Sequence, residues 1–363
     1  ASGRQAATTP MGSVPAPTAR PGTGRSARRE RAGGTLVTGA TGFLGGHIAA
    51  ALLASTDGPV HCLARAGDAE AARLRVLDNL DYLLGGSLDP AGLDRLVVHA
   101  GDLTHENFGM DAAEYAALTS GVHAVYHAAA NVTHFSADAE ALVQTNVAST
   151  AEVIRFCGST VELNHISTVG VFGVVGDGEV RVHREDEFPA DPQLPNAYEV
   201  SKYQAERIVR DALADGLPGR IFRTGFVMGD SQTGRFKREL HTDAMFRVLK
   251  AATLMGVVPA ADASYAEFLP VDFLGRAITI LGEDPDTLGE TFHLSNPDPL
   301  SWSELWSQMI GYGYPLRIVG LDWFVENVYT LSTNDDYLEG LGEIVVYLDD
   351  FLGARVRYDT TKA

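Results

Sequence analysis

Tyr198 and Lys202 stand four residues apart in NAYEVSKYQAERIV (196–209), a spacing that sets both on one helix face about one turn apart. A phenol ordinarily has a pKa of about 10, too high for efficient proton transfer near neutrality. A neighbouring ammonium and the positive end of a helix dipole favour the phenolate and lower that value. Such a pair is an acid–base device aimed at an oxygen. Tyr203 follows Lys202 directly and must point elsewhere. YxxxK also arises by chance on helix surfaces, where the tyrosine simply packs. A second hydroxyl supports the catalytic reading: HISTVGVFG (165–173) carries Ser167 and Thr168 at the end of a strand-like run. From there a second donor can reach an oxygen held by Tyr198, making a small oxyanion site.

The next group of residues suits a phosphate. TLVTGATGFLGGHIAAALL (35–53) spaces Gly39, Gly42 and Gly45 as GxxGxxG between a β-rich run and a helical one. That context permits a tight turn, close backbone approach to a pyrophosphate, and a helix N-terminus facing it. Gly39, Thr41, Gly42, Phe43, Leu44 and Gly45 are the expected dinucleotide cradle; a purely structural turn is the alternative. About 20 residues on, where an acidic residue would bind ribose hydroxyls, stands Arg65. A guanidinium there suits a 2′-phosphate, with Arg73 and Arg75 as second clamps, so NADP(H) is expected over NAD(H). A solvated helix-start charge is the alternative for each. Asp102 and Leu103 end the third strand at the adenine position. Ala128, Ala129 and Ala130 end the fourth with residues small enough for a flat cofactor, although small residues there also serve packing.

These groups need a frame. GTLVTG (34–39), PVHCLA (59–64), RLVVHA (95–100), VHAVYH (122–127), VELNHIS (161–167) and GRIFRT (219–224) read as strands, with helical runs between them, clearest over 137–157. The alternation predicts an α/β fold, a Rossmann-type doubly wound parallel sheet. After Gly225 it breaks into helical pieces near 240–255, 272–281, 301–310 and 322–330 among isolated short strands such as ETFHLS (290–295). The expected organisation is a linker or tail over 1–32, an NADP-binding domain over 33–235, and a smaller, mostly helical substrate subdomain over 236–363, with some chain crossing back to the sheet. Ligands of open α/β sheets lie at the C-terminal strand edge, over which that lid would sit.

Composition narrows the partners. The net charge is −19, and the first 32 residues carry six Arg against one Glu, leaving −24 for the rest. Such a surface repels nucleic acid and anionic membranes. No apolar run is long enough to span a bilayer. Cys62 and Cys157 lack metal-ligand spacing and read as buried apolar residues. No metal is expected, and the expected compartment is the reducing cytoplasm.

The sequence resembles the extended short-chain dehydrogenase/reductases, and within them the thioester reductase (terminal reductase) domains of nonribosomal peptide and polyketide synthases and carboxylic acid reductases. The resemblance runs from about Gly33 onward, through TGATGFLGGHI, CLARAGDAEAARLR, GDLTHENFGM, VYHAAANVTHFSADAEALVQTNVASTAEVIRF, HISTVGVFG, YEVSKYQAE, EFLPVDFLGRAI and TFHLSNPDPLSWSEL. It implies Thr168 as the Ser/Thr member, Tyr198 as acid, Lys202 as its partner and ribose ligand, and Arg65 with Arg73 on the 2′-phosphate. Asn146 matches a recurring asparagine, with a helix-bending role as the alternative. Thr224 stands where relatives often have proline at the nicotinamide end. His134 and Phe135 are candidates for the substrate entrance, with a plain surface position as the alternative for His134. The implied activity is NADPH-dependent release of a carrier-bound acyl or peptidyl thioester as an aldehyde or, after a second reduction, an alcohol. The implied partner is an upstream carrier protein bearing phosphopantetheine. Arg235, Lys237 and Arg238 in GRFKREL are the guessed basic docking patch. Two rivals stand: a nucleotide-sugar epimerase or dehydratase of the same superfamily, and a non-catalytic dinucleotide sensor. Dehydration needs carboxylates after the hydroxyl donor, and Val169 and Gly170 supply none. Epimerases usually keep NAD, which Arg65 disfavours, and a sensor has no use for an intact Tyr/Lys pair.

Overall fold

A computed structural model of the chain describes residues 33–132, 138–173, 180–240, 243–262, 264–332 and 356–363. The expected linker over 1–32 and the entrance candidates His134 and Phe135 lie outside the described residues. The strands foreseen from the pattern form one parallel sheet: β1 (Gly34–Thr38), β2 (Val60–Ala64), β3 (Leu96–Ala100), β4 (Val122–His127), β5 (Glu162–Thr168) and β7 (Gly219–Thr224). A seventh, β12 (Thr291–Leu294), completes the order β12-β7-β5-β4-β1-β2-β3. Chain order reverses between β1 and β4, and that switch point opens a crevice at the C-terminal strand ends. Every residue of β1 and of β7 is buried, as befits parallel strands covered on both faces.

Two apolar layers supply that cover. On one face, α1 (Phe43–Ser55) and α2 (Ala69–Leu84) bury Ile48, Leu52, Val76 and Leu80. On the other, α4 (Ala112–Gly121), α5 (Ala139–Cys157) and α6 (Ala197–Ala214) bury Leu118, Val153, Phe156 and Val209. A short helix, α3 (Pro90–Leu93), leads into β3.

The later chain divides between the sheet and a satellite core. ETFHLS, read as an isolated strand, supplies β12, which pairs beside β7 with Leu294 opposite Thr224. α8 (Val271–Glu283) joins the first layer: a Cβ on Gly275 would stand 3.0 Å from the His47 carbonyl oxygen, so glycine lets α8 press against α1. The expected boundary at 235/236 is thus crossed when the chain returns to the sheet. A satellite core around Trp302 and Trp306 gathers α7 (Ala244–Met255), α9 (Trp302–Gly311) and α10 (Leu321–Ser332). Two-stranded pieces edge it: β8 (Phe226–Met228) with β11 (Phe268–Pro270), β9 (Val257–Pro259) with β14 (Arg317–Val319), and β10 (Tyr265–Ala266) with β13 (Leu300–Ser301). Finally β15 (Val356–Tyr358) pairs in parallel with β6 (Arg181–His183).

Candidate active site

The turn between β1 and α1 is built from backbone. Gly39 has φ +82°, and a Cβ there would stand 2.7 Å from the Ala129 nitrogen, so the turn lies directly on the alanines closing β4. A Cβ on Gly45 would fall 2.2 Å from the Gly39 carbonyl oxygen. Gly42 differs: it is exposed, its φ of −97° suits any residue, and a Cβ would meet only the Gly39 oxygen at 3.2 Å. Such a methyl would fill the cradle in front of α1. That helix begins at Gly42 with no capping side chain and no acid in its first turn, whereas Asp68, Asp111, Asp138 and Asn196 cap α2, α4, α5 and α6. Open N–H groups and a positive dipole end fit a pyrophosphate. Thr41, Phe43 and Leu44 line the turn, as do the half-buried Ala128, Ala129 and Ala130 beside it.

Sequence reading missed the brace behind this cradle. Asn79 on α2 donates to the carbonyls of Ala40 (2.9 Å) and Gly42 (3.0 Å). Its signal was a polar residue next to the apolar stripe of Ala72, Val76, Leu80 and Leu83.

Arg65 is exposed just beyond β2, and Arg75 donates to its carbonyl. Arg73, expected as a second phosphate clamp, turns elsewhere. It donates to the Leu96 carbonyl at 3.3 Å, and Leu96 opens β3 whereas Arg65 lies past the closing end of β2. Asp102 sits near Arg65. Burial pushes its carboxyl up, but the Thr104 N–H and hydroxyl and the charges of Arg65 and His105 outweigh this and hold it below the usual range. Leu103 follows, half-buried.

The catalytic candidates meet where α6 crosses the end of β5. Asn196 caps α6 through the Glu199 N–H at 2.9 Å, placing Tyr198 in the first turn at the positive dipole end. Lys202 donates to the Ile166 carbonyl at 2.6 Å. A Cβ on Gly170 would stand 3.2 Å from the Glu199 side chain. These two contacts bracket Thr168. Its hydroxyl oxygen accepts the Gly170 N–H at 3.1 Å, which leaves its own proton to donate. Ser167 points away and donates to Glu206 at 2.6 Å, so the strand's alternation selects Thr168. Tyr203 is spent elsewhere, donating to the Pro189 carbonyl at 3.0 Å and stacking on Phe188.

The electrostatics differ from the sequence expectation. Burial, and then the Glu199 charge, push the Tyr198 phenol above its ordinary value. The Lys202 ammonium is pulled down to about 8 by burial, partly offset by Glu206. In this packing desolvation dominates, so Tyr198 is held as the protonated acid rather than eased toward phenolate.

Two further candidates serve as supports. The Asn146 side chain accepts the Asn131 N–H at 2.7 Å and donates at 2.9 Å to both the Asn131 carbonyl and the Ser201 hydroxyl. It thereby fastens α5 to α6 and to the segment after β4. Thr224 donates to the Ser167 carbonyl at 3.3 Å, a bond that proline could not make.

Residues 37–278 match the nicotinamide-binding family described as male sterility protein. The chain belongs to this family. It is 32% identical to a linear gramicidin synthase of Brevibacillus parabrevis over 81% of its own length and 6% of that protein. It thus spans a small part of this curated relative. The terminal R domain of the myxalamid PKS-NRPS pathway superposes with TM-score 0.80 at 31% identity, covering 91% of this chain and 83% of that one. A thiolation-reductase di-domain from an archaeal non-ribosomal peptide synthetase gives TM-score 0.74 at 26% identity, over 87% and 66%. UDP-glucuronic acid 4-epimerase from Bacillus cereus, at 21% identity and TM-score 0.56 over 79% and 86%, shares the fold alone. The extended reductase resemblance and its oxidoreductase class are borne out.

In this family member the guessed docking patch is engaged within the molecule. Arg235 donates to the Tyr82 carbonyl, Arg238 pairs with Asp78 at 2.6 Å, and Lys237 pairs with Asp243 at 2.9 Å. Phe236 between them packs on Phe43 of the cradle, ring centroids 5.0 Å apart. Among the described residues no acidic, His or Cys cluster could hold a metal, and no helix is long and apolar enough to cross a membrane.

Proposed function

We propose that this chain is an NADPH-dependent reductase that releases a carrier-bound acyl or peptidyl thioester as an aldehyde. One observation carries the reading: α6 brackets Thr168, so a strand-end hydroxyl and a protonated phenol share the sheet edge that also bears the glycine cradle. Bound NADPH supplies the hydride. Thr168 and Tyr198 hydrogen-bond the carbonyl oxygen and stabilise the charge that develops on it. Tyr198 gives that oxygen its proton, for which a raised pKa is an asset, because the acid must be loaded at neutral pH. The hemithioacetal then collapses to the aldehyde, releasing the carrier's thiol. Lys202 holds the cofactor ribose, and Arg65 takes the 2′-phosphate. The acyl chain lies at the C-terminal strand edge, on the side of the satellite core around Trp302 and Trp306.

The carrier partner is supported by the thiolation-reductase likeness. The buried, free Cys62 and Cys157 suit a reducing cytoplasm; burial raises the Cys62 thiol to about 12, which makes it inert.

The test is NADPH absorbance on mixing the protein with pantetheine acyl thioesters of varied chain. Wild type should oxidise NADPH, and Tyr198→Phe should be slower by about 10²–10⁴-fold. No oxidation by wild type over any chain would sink the reading, and equal rates would remove Tyr198 from its role.

A further inference from the structure

Glu206 is fully buried on α6, one turn beyond Lys202, and the proposed reaction gives it no task. Its carboxylate accepts from Arg223 of β7 at 2.7 Å, from Arg210 at 3.0 Å, and from the Ser167 hydroxyl at 2.6 Å. Arg223 is also fully buried. Ser167 lies between Ile166, whose carbonyl holds Lys202, and Thr168. Two adjacent residues of β5 are therefore fastened to two successive turns of one helix face, and the next residue is the one that meets substrate. Stability alone does not ask for this arrangement, since a buried ion pair roughly breaks even against well-packed apolar groups.

We infer that Glu206 is a positioning residue: it locks the end of β5 to α6 so that Thr168 and Tyr198 converge on one oxygen. Its carboxylate, one turn from Lys202 on the same helix, also favours the ammonium there. The titratable groups whose charges couple to Lys202 are His127 from β4, His165 from β5, and Glu206 from α6 itself. Burial, and then the Lys202 charge, hold His127 near 3 and His165 well below the imidazole range, so both are neutral. Tyr198 is protonated. Glu206 thus supplies the negative charge. The kinetic part of this inference rests on the proposed reductase reading; the electrostatic part stands without it.

The test uses the whole chain labelled with 13Cε-lysine. Wild-type Lys202 should titrate near pH 8. In Glu206→Gln its midpoint should move to lower pH, and in Ser167→Ala, which cuts only the tie to β5, it should stay. With NADPH and a pantetheine thioester, Ser167→Ala should lose roughly 10- to 100-fold in kcat with little change in KM, as a misplaced donor does. The alkaline limb of the rate profile should move down in pH for Glu206→Gln. A merely structural Glu206 predicts less folded protein with an unmoved Lys202 midpoint, and that result overturns the inference. If Glu206→Gln does not fold, Ser167→Ala decides: a wild-type kcat overturns the positioning role. If wild type fails to reduce any thioester, the reductase reading falls while the lysine titration still judges Glu206.

Discussion

The two ends of the crevice are built on different principles. At the cradle end, neighbours in sequence do the work: Gly39, Gly42 and Gly45 shape one turn, and the conformation of Gly39 plus the close approach at Gly45 specify it. At the catalytic end, distant residues converge: Glu206, Ser167, Arg223 and His293 come from one helix and three strands. Backbone geometry makes an anion site cheaply because the N–H groups are already there. Holding two hydroxyls on one oxygen instead needs side chains fixed by a buried polar network, in which every member must be satisfied.

The comparison breaks most visibly at Arg223. Arg223→Met leaves Glu206 short of its main partner in a dry site, and removing one member of a buried pair costs about 3–5 kcal/mol. Chemical denaturation should show that loss, and NADPH binding by the remaining folded protein should be nearly intact. Arg65→Ser attacks the opposite end and should leave folding untouched. Loss of charge-assisted hydrogen bonds worth about 1.5–3 kcal/mol should weaken NADPH binding and leave NADH binding almost unchanged; fluorescence titration with both cofactors reads this, and equal losses would refute the 2′-phosphate assignment. Within the cradle, Gly39→Ala should cost about 1–3 kcal/mol of stability from left-handed strain alone, before the contact with Ala129. Gly42→Ala should lose little stability, because its methyl meets only the Gly39 oxygen at 3.2 Å, yet bind NADPH more weakly, because that methyl stands in the cradle.

The same contrast explains what could be read from the sequence. β4 and β7 match their predicted spans, because apolar runs and turn residues are local signals. The cradle and the Tyr198/Lys202 spacing are local too, and the same spacing sets Tyr203 aside. β12 escapes such reading because a four-residue strand does not say which sheet it joins, and its partner β7 lies some 70 residues earlier. Arg73 escapes it because spacing puts the residue on α2 without giving a side-chain direction; the stripe through Ala72 and Val76 turns it toward β3. Glu206 leaves a trace, as a charge on the inward stripe with Lys202 and Val209. Its partners Arg223 and Ser167 lie in separate strands, and no local period links them.

The smallest expected effect concerns Arg238, in the basic stretch guessed to be a docking patch, whose contacts within the molecule make it a candidate latch. Its guanidinium bonds the Asp78 carboxylate and carbonyl and lies over the Tyr82 ring, 4.5 Å from its centre. Arg235 adds its bond to Tyr82, and Phe236 rests on Phe43 at the first turn of α1. The segment thus joins the end of α2 to the cradle. Exposed ion pairs add little to stability because solvent screens them and side-chain entropy opposes them, so Arg238→Ala should leave the melting temperature within error. A docking residue would show itself in the KM for a carrier-bound thioester with the KM for NADPH unmoved. A latch predicts the reverse, a small rise in the KM for NADPH, because a loosened strap frees Phe43 and with it the helix end proposed to face the pyrophosphate.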